Sequence, residues 1–166
     1  MNIQYAYERC GNLKKQQTNP PTQNPADKLP KELKAIYNDT RKSSAAVESL
    51  KVAAALKLWN DRGYRQLGFG VESEDNGKSF YVDVLANDDR GMVGVECASS
   101  LNLGRLRRRI EQLRGCLTPD SYIIAVFPET VGEGVKKALR LVDEVWVTGK
   151  NGTVEQMMFM SFFGNG

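Results

Sequence analysis

The chain of 166 residues contains no histidine. That absence removes Ser-His-Asp and Cys-His catalysis, histidine general acid/base chemistry and every His-ligated zinc or iron site. Chemistry is left to carboxylates, lysine, tyrosine, cysteine, or a metal held by oxygen ligands. Cysteine is scarce. Cys10, Cys97 and Cys116 are odd in number and show no Cys-x-x-Cys spacing, which argues against a disulfide framework and against a zinc knuckle. Cys97 lies in an apolar strand pattern and is expected to be a buried free thiol. No apolar run approaches the roughly 20 residues of a membrane span. Met1-Asn2-Ile3-Gln4-Tyr5 is not a basic segment leading into an apolar one, so no signal peptide is read and the expected compartment is the cytoplasm. Gly68-Phe69-Gly70 and Val131-Gly132-Glu133-Gly134 match neither a phosphate-binding P-loop nor a dinucleotide fingerprint.

What is present is a hydrophobic fraction of 41%, enough for a core, and a net charge of only +3. The distribution of charge says more than the total. Arg105, Arg107, Arg108, Arg109 and Arg114 form a local basic stripe, suited either to nucleic-acid phosphates or to a solvated helix face.

Residues 1–43 differ in texture from the rest. Gln16 to Pro25 is polar and rich in proline and reads as a linker. Pro30 is placed to open a short helix whose apolar face is Leu33, Ile36 and Tyr37. This segment is expected to be an arm or to pack on the domain that occupies residues 44–166. That domain opens at Ser43 or Ser44, either a good N-cap. Ala45 to Asn60 has no Gly or Pro and predicts a helix apolar around most of its circumference, closed by Gly63.

Three strands are expected next, as an antiparallel meander: Tyr64–Ser73, Ser79–Ala86 and Met92–Ala98. Asn76-Gly77 marks the first turn and Asn87 to Gly91 the second. Leu103, Leu106, Ile110, Leu113 and Leu117 recur at helical spacing and predict an amphipathic helix from Leu103 to Cys116. The run Ser121–Phe127 reads as a strand covered on both faces. A helix over Val131–Leu141, a strand over Asp143–Thr148 and a last strand over Val154–Phe162 complete the order α-β-β-β-α-β-α-β-β. The predicted fold class is α/β, a mixed central sheet with helices on both faces.

One pair of residues stands out against this frame. If the second hairpin turns between Asp89 and Arg90, residues whose numbers sum to 179 face each other, and Asp83 then opposes Glu96. Opposed residues of an antiparallel pair share a face, with Cβ atoms about 4.5–5.5 Å apart. Two carboxylates so placed in apolar strands repel and are costly to bury. A divalent cation would relieve both costs; so would an arginine or lysine.

Helix, three-strand meander with Asp83 on the second strand and Glu96 on the third, then a basic helix and an apolar strand: this resembles the PD-(D/E)XK nuclease superfamily, the restriction-endonuclease-like fold. The texture of Tyr81-Val82-Asp83-Val84-Leu85-Ala86 and Gly94-Val95-Glu96 is similar to that of small nuclease domains in archaeal and bacterial mobile elements. The resemblance covers residues 44 to about 150. It implies a catalytic set of Asp83, Glu96 and, from the first helix, Glu48. It implies Mg²⁺ or Mn²⁺ as cofactor, on Asp83, Glu96 and the backbone carbonyl of Cys97. The implied activity is phosphodiester hydrolysis, with DNA held by Arg105, Arg107, Arg108, Arg109 and Arg114. Homodimers are common among such nucleases. Gln112 falls where relatives often carry a site-facing Gln or Tyr, although an exposed helix position is the simpler expectation.

The motif's lysine should stand two residues after Glu96, and that position is Ala98. Arg105 or Arg108 is expected to supply the missing cation, ahead of Lys51 on the first helix. The departure suits a second reading equally: a catalytically inactive module that binds nucleic acid or a protein. A third is an assembly protein whose N-terminal arm binds a protein partner.

Overall fold

The structure, a computed structural model, describes residues 24–150 and 152–157. Among these residues, six strands form one mixed sheet covered on both faces by three α-helices and two 3₁₀ segments, Pro25–Lys28 and Glu129–Arg140. Helix α1 is Lys31–Asn38, α2 is Ala45–Asn60 and α3 is Leu103–Cys116. The strands are β1 (Gln66–Asp75), β2 (Lys78–Asp88), β3 (Gly91–Cys97), β4 (Tyr122–Pro128), β5 (Glu144–Thr148) and β6 (Val154–Met157). Cys10 and the expected reach of the last strand beyond residue 157 lie outside the described residues, as does most of the proline-rich segment.

The strands lie side by side in chain order. β1, β2 and β3 are an antiparallel meander; β3, β4 and β5 run parallel; β6 returns antiparallel to β5. This is the mixed α/β architecture expected. Asn76 and Gly77 both take left-handed backbone (φ 50° and 75°), the geometry a tight hairpin requires and the reason Asn-Gly marks it. β4 alternates Ile124 and Val126 toward one core with Ile123, Ala125 and Phe127 toward the other, all buried, as a two-sided strand must.

One core lies between the sheet and helices α1 and α2, and contains Leu33, Leu50, Leu58, Phe69, Val95 and Trp146. The other lies under α3 and the 3₁₀ turns, and contains Val82, Leu106, Ile110, Leu113, Ile123 and Phe127. Ser44 caps α2, its side chain accepting from the amide of Val47, and Asn102 caps α3 through the amide of Arg105. At eight residues α1 is too short to hold itself in water. It is kept by burying Leu33 and Tyr37, each worth about 1.5–3 kcal/mol over an exposed side chain. The ring of Tyr37 meets Phe69 edge-on at 5.2 Å.

The segment expected as a regular helix over 131–141 is instead a series of 3₁₀ turns over Glu129–Arg140, interrupted at Gly132 (φ 68°, ψ −157°). Gly132 and Gly134 remove the continuous helical propensity the spacing of apolar residues had suggested. The segment still buries Val135 and Ala138 and so covers its face of the sheet. Among the described residues no helix is long and apolar enough to cross a membrane.

Candidate active site

The second hairpin has the expected register. Asp88 pairs with Gly91, Asn87 with Met92 and Val84 with Val95, all summing to 179. The ladder ends there, one pair short of Asp83 and Glu96. Val84 faces the α2 core, yet Val82, two residues earlier, faces the α3 core. β2 therefore rotates about its own axis at Asp83. Opposite, in β1, Phe69 pairs with Val84 and Val71 with Val82, which sets Gly70 against Asp83. Gly70 is left-handed (φ 52°), a conformation most side chains resist, and allows the rotation. Beyond this point β2 and β3 diverge, and the Asp83 carboxylate fills the fork. Its Oδ2 accepts the amide hydrogen of Cys97 at 2.7 Å, a bond the ladder would otherwise have supplied.

Asp83 and Glu96 are each only 8% exposed. Burial raises both carboxyls above their ordinary range. Glu96 is pushed up to about 7, by burial first and then by the charge of Asp83, against the pull of Arg109. The charge of Asp83 is felt at Glu96, although the ladder expected to set the two directly opposite one another stops at Val84 and Val95.

Their basic partners are not those expected. Arg105 and Arg108 are both exposed, although Arg105 lines the cleft beside the acids. Arg109 reaches inward instead. Its Nε donates to Glu96 Oε1 at 3.0 Å and its Nη2 to Glu96 Oε2 at 3.0 Å, a bidentate clamp, and Nη2 also donates to the carbonyl of Tyr81 at 2.6 Å. Of the other stripe members, Arg107 is exposed and Arg114 lies 3.6 Å from Asp143.

The lysine of the site is Lys51, which had been placed behind the arginines. It is 3% exposed, and its ammonium stands 3.7 Å from Asp83 Oδ1, 3.0 Å from Glu48 Oε1 and 3.0 Å from the hydroxyl of Ser43. Glu48, one turn earlier on α2, is committed to holding it. Its Oε1 also accepts the Ser43 amide at 2.6 Å. Burial pushes the Glu48 carboxyl up, but the bonds from Ser43, Lys51 and Tyr37 together hold it below its ordinary range. The same burial and the bond to Glu48 raise the Tyr37 phenol to about 12. The α1 segment thereby buttresses the site through Tyr37. Glu48 and Lys51, charges three residues apart in the first half of a mostly apolar helix, were the signal available for Lys51.

Cys97 is buried, and burial followed by the nearby carboxylates pushes its thiol well above the ordinary value, so the thiol is not a nucleophile. It belongs to the α2 core, on the face away from Glu96. Gln112 is half-buried and lines the same cleft as the acids.

Among the described residues, no group of three or more His, Cys, Asp and Glu side chains is disposed to hold a metal ion. The oxygen donors on offer are fewer. Asp83 Oδ1 has Lys51 at 3.7 Å as its ionic neighbour, and Glu96 has two oxygens now engaged by Arg109. Three acids, Glu48, Asp83 and Glu96, meet two bases, Lys51 and Arg109, so with every acid ionised the cluster would carry one surplus negative charge, which the raised Asp83 and Glu96 carboxyls oppose. That surplus and the raised carboxyls are chemically suited to one added cation on Asp83 and Glu96, provided Arg109 lets go of Glu96.

No family model matches the chain, and no curated protein matches it. Among solved structures, an XisH family protein from Nostoc punctiforme overlaps it with a TM-score of 0.48 at 13% identity, covering 65% of this chain and 97% of that one. An fdxN element excision controlling factor protein from Anabaena variabilis gives 0.47 at 14% identity, covering 69% and 100%. A repair endonuclease from Pyrococcus abyssi gives 0.39 at 22% identity, covering 61% and 45%. Overlap of this order assigns neither family nor activity, and the site is read from its own residues.

Proposed function

We propose that the protein is a metal-dependent nuclease of the PD-(D/E)XK type, hydrolysing phosphodiester bonds of DNA. One observation carries the reading. Two buried carboxylates, Asp83 and Glu96, meet where β2 and β3 fork, with a buried lysine on the first of them. Burying like charges is expensive, and sites that keep such an arrangement are more often functional than structural.

Asp83 and Glu96 would hold Mg²⁺ or Mn²⁺. When bound, the ion would supply charge neutralisation at the phosphate and lower the pKa of a water. Lys51 takes the place of the lysine missing at Ala98. From α2 it puts its ammonium beside Asp83, where it can orient the attacking water and stabilise charge building on the phosphate. Glu48 is a positioning residue: it fixes Lys51, and Tyr37 and Ser43 fix Glu48. Arg109 holds Glu96 in place; with a cation on Glu96 it would be available to contact phosphate, beside Arg105 at the cleft.

The bidentate Arg109–Glu96 pair favours a second reading, a nuclease-like module that binds nucleic acid without cutting. Incubation of DNA with the protein and Mg²⁺ or Mn²⁺, beside an Asp83→Ala variant, separates the two. Cleavage by the wild type alone supports the enzyme. Equal absence of cleavage in both, with DNA binding indifferent to EDTA, supports the module.

A further inference from the structure

Tyr81 is one of the large hydrophobic side chains exposed among the described residues. It stands two residues before Asp83 on β2 and is 37% exposed. Tyr81 lines the open cleft of about 700 Å³ that Asp83, Glu96, Arg105 and Gln112 also line. The guanidinium of Arg41 lies 5.7 Å from the ring centroid. The strand beneath is fixed, because the Tyr81 carbonyl accepts from Arg109, which also grips Glu96. An aromatic side chain on a held strand, with arginines beside it and the acids close by, is the chemistry that recognises an unpaired base: the ring stacks on the base while the guanidinium groups meet the flanking phosphates.

We infer that Tyr81 is a stacking platform for an unpaired nucleotide, and that the cleft takes single-stranded nucleic acid, or the unpaired part of a branched one, in preference to duplex. In a duplex the base faces are stacked on one another and are closed to a side chain; in a single strand they are open. The inference rests on the nuclease reading for the identity of the ligand as a nucleic acid, and adds its form.

The test is fluorescence anisotropy in EDTA with a labelled DNA single strand, the same sequence as RNA, and the blunt DNA duplex. The proteins are wild type, Tyr81→Ala and Tyr81→Phe, and cleavage of the same DNAs is followed separately in Mn²⁺. The wild type is expected to bind single strand more tightly than duplex. Tyr81→Ala should weaken single-strand binding roughly 5- to 150-fold and leave duplex binding unchanged. Tyr81→Phe, which keeps the ring, should behave as wild type. The RNA arm decides between the two sources of an unpaired base: equal binding assigns recognition to the ring alone, and a preference assigns part of it to the sugar. Duplex binding and cleavage that persist with no single-strand preference, or equal weakening of both forms by Tyr81→Ala, would overturn this inference and leave the nuclease reading standing. Absence of any binding and any cleavage would overturn both. Self-association abolished by Tyr81→Ala, with no nucleic acid bound, would give this face to a second copy of the chain and overturn it as well.

Discussion

Replacing Glu96 by Gln should stabilise the protein at neutral and alkaline pH. Burial, and then the charge of Asp83, pushes the Glu96 carboxyl up to about 7, against 4.5 in its ordinary setting. Between those values the native state holds a proton that the unfolded chain has released, so stability falls as pH rises through this window. The penalty is absent below about pH 4.5 and complete above about pH 7, where it amounts to about 3 kcal/mol. Gln resembles the protonated carboxyl in shape and charge and still offers one oxygen to Arg109. Glu96→Gln should therefore escape the penalty and melt higher by roughly 6–12 °C at pH 8, at about 2–4 °C per kcal/mol for a chain of this size. The two proteins should converge toward pH 5. Thermal melts or urea titrations from pH 5 to 8.5 read this directly. A Glu96→Gln protein less stable than wild type at pH 8, or a wild type whose stability rises across the window, would show that the Arg109 clamp outweighs burial and that the site carries no strain for a cation to relieve.

Lys51→Ala should lower cleavage by about 100-fold or more and cost about 3–5 kcal/mol in urea unfolding, since Glu48 and Asp83 would be left buried without their shared cation. Adding Glu48→Gln to it should recover part of the stability and none of the rate; wild-type cleavage by Lys51→Ala would remove this lysine from the chemistry. Away from the site, Arg62→Ala should cost about 3 kcal/mol. Glu144 is 2% exposed, receives Arg62 on both oxygens at 2.6 and 2.7 Å, and would keep Trp146 Nε1 at 2.8 Å as its hydrogen-bond donor. A melt within 1–2 °C of wild type would show that the Arg62–Glu144 pair contributes little to stability.

Much of the fold was legible because local rules and global packing agree. α2 and α3 have the boundaries that their caps and apolar spacing predict. The Asn-Gly turn and the turn at Asp89-Arg90 set the register that brings Asp83 toward Glu96. Periodicity failed over Val131–Leu141, where two glycines outweigh an apolar repeat.

That Asp83 and Glu96 lie on neighbouring strands at matching heights, and that Cys97 is a buried free thiol, followed from sequence alone, since turn chemistry and a period of two set the register of the hairpin. Which cations serve them was a tertiary decision. A helix apolar around most of its circumference, like α2, gives little phase to read, so the spacing of Glu48 and Lys51 alone does not say that Lys51 turns to the sheet. On α3, the choice of Arg109 over Arg105 or Arg108 follows from how far the helix is rolled against its core. The rotation of β2 at Asp83, permitted by Gly70 on the neighbouring strand, depends on contacts between strands that no single segment encodes.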